Sequence, residues 1–205
     1  MRPMVLGWLL VILAVSIDSA AAASPITCAG IWAPNTSETV LRRRFGSHVR
    51  SEKVDVGEGD EEEGAVVDPD TPQSTLFVIW KNPALRRNPA SIRIRNQSRQ
   101  VTFAGIGIGT TLKDLERLNG GPFELAGFAF DYSGTVTSWL DGRLARIGGA
   151  ACELKVRLEP GRSARPSREE AAAIDATIGD RDFNSSEANM QLLNPRVYEV
   201  LLIYR

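Results

Sequence analysis

Along residues 24–100, the apolar and polar positions first follow the spacing typical of an α-helix and then the spacing typical of several β-strands. Good capping residues at Asn35 and Thr36 precede closely spaced apolar positions, which predicts a short helix that ends at Gly46. Runs rich in β-branched and aromatic residues then predict strands. These strands are expected at residues 49–56, 75–80 and 91–95. Residues 57–72 are rich in Gly, Asp, Glu and Pro and predict a long loop.

Residues 101–160 repeat this order. Thr111 can cap a second short helix, whose apolar stripe is Leu112, Leu115 and Leu118, and Gly120 ends it. Strands are expected at residues 128–132, 135–140 and 152–158. The shared order predicts an internal duplication, in which both sets of strands join one curved antiparallel sheet and the short helices cover one face.

Residues 161–205 differ from both blocks. Ser167 and Glu170 form a capping box that opens a helix at residues 168–177, and a loop follows at residues 180–189. Residues 196–204 read as a buried strand. We therefore expect an α+β fold with an antiparallel sheet, short helices on one face, two tandem repeats, and a C-terminal helix and strand that complete the same domain.

The N-terminus has the three parts of a secretory signal peptide. Arg2 is positive, residues 5–17 are apolar, and residues 18–23 are small and permit cleavage after Ala23. The apolar run is shorter than the roughly 20 residues that span a bilayer. An uncleaved anchor and a lipoprotein attached at Cys28 are the alternatives. We assign residues 1–23 to a signal peptide and expect a periplasmic or secreted protein without a membrane span in its mature chain.

Net charge, cysteine content and the expected compartment bear on the possible partners, disulfide bonds and cofactors. A net charge of −1 gives no basic excess for nucleic acid. The two cysteines, Cys28 and Cys152, predict a disulfide bond in an oxidising compartment, with two separate thiols as the alternative. Nucleotide cofactors are scarce outside the cytoplasm, so we expect no cofactor.

No metal or catalytic motif is evident. The sequence contains no nucleophile motif for which His48 could act as the catalytic base. The glycines before the second helix form no phosphate-binding signature. An acidic run could bind calcium but lacks EF-hand spacing, so a solvated loop is favoured. The run consists of Asp55, Glu58, Asp60, Glu61, Glu62, Glu63, Asp68 and Asp70.

Two groups of residues remain as candidates for function. Glu124, Asp131 and Asp141 lie near aromatic residues and could act as the paired carboxylates of a hydrolase. A second group of aromatic residues on predicted strands could form an exposed partner surface or could pack in the core. These residues are Trp80, Tyr132 and Trp139.

Residues 107–144 contain the phrases GIGTTLKDLERLNGGPF, LAGFAFDYSGTVTSW and LDGRL. Together with Gly57-Glu58-Gly59 and Val78-Ile79-Trp80, they resemble an uncharacterised family of secreted bacterial proteins. This resemblance implies a shared fold and no known activity.

Each block of helix, glycine stop and strands is also similar to the repeat of the β-lactamase-inhibitor-protein fold, which small outer-membrane assembly lipoproteins share. Leu118 to Pro122 approximates the helix stop of that repeat. The resemblance implies protein binding without catalysis. We therefore expect an exported non-catalytic protein that binds a protein partner, and the alternative is a secreted hydrolase acting on cell-wall or polysaccharide material.

Overall fold

The structure is a computed structural model that describes residues 24–57, 59–129, 131–161 and 165–205. The predicted signal peptide and its cleavage after Ala23 lie outside the described residues. Within these ranges, no helix has the length and apolar character needed to cross a membrane.

Short helices are interspersed among runs of strands along the described chain. The α-helices are α1 (Glu38–Phe45), α2 (Leu112–Asn119), α3 (Arg168–Thr177) and α4 (Ala188–Leu193). The strands are β1 (Ser24–Ile26), β2 (Val49–Gly57), β3 (Asp60–Val67), β4 (Leu76–Asn82), β5 (Arg87–Arg95), β6 (Val101–Phe103), β7 (Glu124–Ala126), β8 (Val136–Ser138), β9 (Cys152–Glu159), β10 (Asp182–Asn184) and β11 (Arg196–Tyr204).

The largest sheet has six antiparallel strands in the order β2-β3-β4-β5-β11-β9. The predicted α+β class, with a large antiparallel sheet, short helices and a C-terminal helix and strand, is confirmed. The prediction of one sheet for all strands is wrong. β7 and β8 pair with β10 in a second sheet, and β1 pairs with β6. β9 reaches the large sheet only through β11, and the tandem repeats stay a prediction.

One face of the six-stranded sheet carries the main core. Alternate residues of a strand point to the same face, and the row formed by Ile92, Leu202 and Leu154 on β5, β11 and β9 is buried. Leu41 of α1 and Leu115 of α2 belong to the same cluster. Burial of each such side chain stabilises the fold by about 1.5–3 kcal/mol. The helices therefore cover this face, as expected.

The opposite side of this sheet, which we call the outer face, carries a smaller apolar cluster. Val54, Val66 and Ile79 of β2, β3 and β4 form its buried centre, and Phe77 packs at its margin. The sheet is thus stabilised on both faces over its first three strands.

The long loop predicted at residues 57–72 is wrong, because β3 occupies Asp60–Val67. The first half of β3 is acidic and exposed, whereas Gly64 to Val67 are buried between β2 and β4. The acidic half pairs with β2 alone, and the buried half pairs with both β2 and β4, so strand pairing outweighs the loop-like composition of the first half.

Predicted strand 128–132 is also wrong. The strand of this region is β7, which ends at Ala126, and Phe128 makes an isolated bridge to Ile178. Ala129 adopts a left-handed φ of 73°, which interrupts the extended backbone. Phe130 lies outside the described residues. The loop predicted at residues 180–189 instead contains β10 and the start of α4, which continues to Leu193.

Two of the three predicted helix N-caps are formed by the residues that the sequence analysis named. Thr111 accepts a hydrogen bond from the backbone of Asp114 at the start of α2, and Ser167 with Glu170 forms the predicted capping box of α3. The cap of α1 is Ser37 in place of the expected Asn35 or Thr36.

The disulfide bond between Cys28 and Cys152 is confirmed, and the alternative of separate thiols is wrong. The two Cα atoms lie 6.2 Å apart and are separated by 124 residues in sequence. The bond ties the segment before α1 to the start of β9, a strand at the edge of the large sheet.

Replacing both Cys28 and Cys152 by Ala should lower the free energy of unfolding by about 2–5 kcal/mol, because the open chain regains the entropy of a long loop. Urea unfolding checks this value. Reductant should shift wild type similarly and leave the variant unchanged. A wild-type midpoint that ignores reductant would contradict the prediction.

Candidate functional site

Two rows of side chains cross the outer face where β5, β11 and β9 lie side by side. The rows, which we call the β11 patch, consist of Arg93, Leu201 and Lys155, and of Ser91, Ile203 and Glu153. Leu201 is half-buried and Ile203 is 36% exposed. Aliphatic side chains are therefore accessible between charged neighbours on this half of the sheet.

Next to the β11 patch, a buried carboxylate is surrounded by arginines. Glu199 lies opposite Arg95 of β5 and Arg157 of β9 in the strand register. Its oxygens are 3.4 Å from Nη1 of Arg93 and 3.5 Å from Nη1 of Arg157. We call Arg93, Arg95, Arg157 and Glu199 the arginine cluster. Three guanidinium groups against one carboxylate leave this cluster positive.

The hairpin of β2 and β3 folds over the outer face and reaches the arginine cluster. Nη2 of Arg93 donates a hydrogen bond of 3.1 Å to the carbonyl oxygen of Val56. Asp55 approaches Nη1 of Arg95 at 3.8 Å, but its side chain is 63% exposed. A single long, exposed ion pair screens little of the charge of Arg95.

Desolvation is the dominant electrostatic effect on Arg93. Burial lowers its pKa, and the neighbouring Arg95 and Arg157 act in the same direction, while Glu199 and Asp55 oppose them. The Nε atoms of Arg93 and Arg95 are buried without a hydrogen-bond partner among the described residues. The cluster thus holds positive charge that is partly removed from water and incompletely paired.

Phe77 connects the arginine cluster to a neighbouring cavity. The guanidinium carbon of Arg95 lies 4.6 Å from the centre of the Phe77 ring, within the range of a cation–π contact. Phe77 and Val66 also line a cavity of about 360 Å³ that is bounded by Pro69 and Pro72. This volume falls within the range of small-ligand pockets.

A second buried carboxylate, Glu38, lies at the start of α1 near the other face of the sheet. Its Oε1 accepts hydrogen bonds from Ser51 at 2.6 Å and from Nε of Arg42 at 2.8 Å, and Arg86 approaches it at 3.5 Å. Burial raises the pKa of Glu38, but these hydrogen bonds and charges outweigh burial and lower it overall. This network joins α1, β2 and the turn before β5.

The three predicted aromatic residues are distributed over different environments. Trp80 is 3% exposed in the main core, so the core alternative holds for it. Tyr132 is 71% exposed in a turn, where no strand forms. Trp139 follows β8 and packs against Phe123 with ring centres 5.3 Å apart. The expectation that all three lie on strands of one sheet is wrong.

The predicted hydrolase carboxylates are divided between the two ends of the β7–β8 hairpin. Asp131 lies in the loop that joins these strands, whereas Asp141 follows the far end of β8. Glu124 begins β7 opposite Ser138, at the same end as Asp141. Asp131 therefore lies toward the opposite end of the hairpin from Glu124 and Asp141.

The remaining candidates have surface positions. His48 is exposed and approaches Asp68 at 3.3 Å. Asp60 to Glu63 form the exposed half of β3, while Glu58 lies outside the described residues. Among the residues that the structure describes, no group of His, Cys, Asp and Glu is arranged to hold a metal ion.

The arginine cluster was not among the candidates from sequence, although a weak signal for it exists. In residues 91–95, Arg alternates with Ile, which predicts a half-buried strand with arginines on one face. The sequence gives no sign that Glu199, 106 residues after Arg93, joins them.

No family model, curated protein or solved structure matches this chain. The resemblances to the secreted bacterial family and to the β-lactamase-inhibitor-protein repeat therefore stay predictions.

Glu199→Gln should lower the free energy of unfolding by about 3 kcal/mol, because it removes a buried negative charge and leaves the guanidinium groups uncompensated. Urea unfolding measures the change. Glu159→Gln, at an exposed position of β9, is the control and should change stability by less than about 0.5 kcal/mol. Equal effects of both variants would contradict the assigned role of Glu199.

Glu38→Gln should weaken the dependence of stability on acidic pH. Because folding lowers the pKa of Glu38, its carboxylate stabilises the fold fully above the ordinary value of 4.5, and this contribution is lost as pH falls through the folded-state pKa. Unfolding across that acidic range measures the slope. Glu169→Gln, in the exposed first turn of α3, should leave the slope unchanged. An unchanged slope in the Glu38 variant would refute the network's role.

Proposed function

We propose that this chain is an exported, non-catalytic protein that binds a protein partner through the β11 patch and the arginine cluster. The observation that carries the proposal is the juxtaposition, on the outer face, of accessible Leu201 and Ile203 with the positive arginine cluster. Arginine is enriched at protein interfaces, and the buried centre of an interface is more apolar than the rest of the interface.

The rigidity of this surface favours binding. Leu201 and Ile203 stand on β11, which is paired with strands on both sides, and Arg93 is held by Glu199 and the carbonyl of Val56. Side chains that are already ordered lose little conformational entropy when a partner docks. The same surface on a flexible loop would bind more weakly.

Two features of the chain support export. The signal-peptide pattern of residues 1–23 predicts passage through a membrane. The Cys28–Cys152 bond suits an oxidising compartment such as the periplasm or the extracellular medium. A partner in that compartment fits both features.

Site-specific photo-crosslinking tests the proposal. A benzophenone amino acid at Ile203 should give one discrete protein adduct in cells that produce the chain with its own N-terminus. The same probe at Leu85, which is 59% exposed in the β4–β5 turn, is the matched control and should not give that adduct.

The β11 patch should also be required for the adduct. Leu201→Gln removes an aliphatic contact and should greatly reduce the Ile203 adduct, while thermal unfolding checks that the variant remains folded. Identical adducts from Ile203 and Leu85, or an adduct indifferent to Leu201→Gln, would overturn the proposed surface.

A further inference from the structure

Arg95 is the member of the arginine cluster with the most unused binding capacity among the described residues. Arg157 donates to Thr135 and to the carbonyl of Asp131, and Arg93 donates to the carbonyl of Val56. Arg95, by contrast, makes only the long ion pair with Asp55 and the contact with Phe77 among the described residues. Its guanidinium group therefore retains donors for a further acceptor.

The surroundings of Arg95 hold this side chain in place. Its side chain is only 17% exposed. The Phe77 ring stacks beneath it, and Arg93 lies on the same face two residues earlier in β5. A second guanidinium nearby adds to the positive field, which burial strengthens relative to bulk water.

Charge at the cluster selects the type of acceptor. A guanidinium fork matches the two oxygens of a carboxylate, and such pairs are among the stronger hydrogen-bonded contacts. Glu199 and Asp55 already flank the arginines. Three positive and two negative groups leave a net charge of +1. A monoanionic carboxylate neutralises this charge, whereas a phosphate dianion exceeds it, so the site favours a carboxylate over a phosphate.

Resting on the proposed function, we infer that Arg95 binds a carboxylate supplied by an acidic side chain of the protein partner. The β11 patch receives the apolar part of the partner, and the carboxylate is placed over the arginine cluster. Binding gives the Nη groups of Arg95 a further acceptor and brings the charge of the cluster closer to neutrality.

NMR titration of the full folded chain tests the chemistry without the partner. The probe is a blocked glutamate, and the matched control is the blocked glutamine, which has the same shape without the charge. The glutamate should shift the Nε–H signal of Arg95 saturably at constant ionic strength, and the glutamine should not. Inorganic phosphate is titrated in parallel and should bind more weakly.

Two substitutions separate the contributions of charge and geometry. Arg95→Gln should weaken glutamate binding by about tenfold or more, as expected for loss of a charged hydrogen bond. Arg95→Lys keeps the charge and should weaken binding less than Arg95→Gln does. Arg99→Gln, in the exposed turn after β5, should leave binding unchanged. Thermal unfolding confirms that each variant is folded.

The outcomes distinguish this inference from the proposed function. Absence of a saturable shift, tighter binding of phosphate, or equal loss in the Arg99 variant would overturn the carboxylate site. An Ile203 adduct that is insensitive to Arg95→Gln would also overturn it while leaving partner binding intact. Glutamate binding at Arg95 without any Ile203 adduct would support the site and refute the proposed partner surface.

Discussion

The pairing of β11 between β5 and β9 is the interaction on which the rest of the structure depends. Val200 and Leu202 of β11 are fully buried and face the main core between these two strands. Without β11, β9 would have no partner in the large sheet, and the disulfide bond would tie the N-terminal segment to an isolated strand. Residues of the same strand that point the other way, Glu199 and Leu201, build the outer face. One strand therefore supplies both the stability of the sheet and the candidate site.

The two faces of the sheet use different means to bury side chains. Helices cover the core face, and apolar contacts dominate there. On the outer face the curled β2–β3 hairpin covers only part of the sheet, and polar groups at its tip contact arginines of β5. Arg95 occupies this half-buried position with its guanidinium group over the Phe77 ring, a cation–π contact, and with Nη1 3.8 Å from Asp55. The arginine cluster is a consequence of this incomplete coverage.

Local features of the sequence, such as capping residues and apolar runs, predicted the elements that depend mainly on those features. The capping residues of α2 and α3, the apolar strands β4 and β11, and the disulfide bond were predicted correctly. β3 was missed because its acidic half resembles a loop and its pairing depends on neighbouring strands. The site was missed for the same reason. Arg93 and Glu199 meet only through strand register, which depends on packing across the whole sheet and leaves no local trace.

The distance in sequence between β5 and β11 has a consequence for how the chain reaches its native state. Arg93 and Glu199 are 106 residues apart, so the central pairing of the sheet requires closure of a long loop. Contacts of this kind form slowly, because the chain loses the entropy of the long loop before the stabilising contacts between the strands have formed. The β2–β5 meander can assemble earlier from short turns and would then expose the unpaired edge of β5. A folding helper that shields this edge during the delay would protect the nascent protein from aggregation.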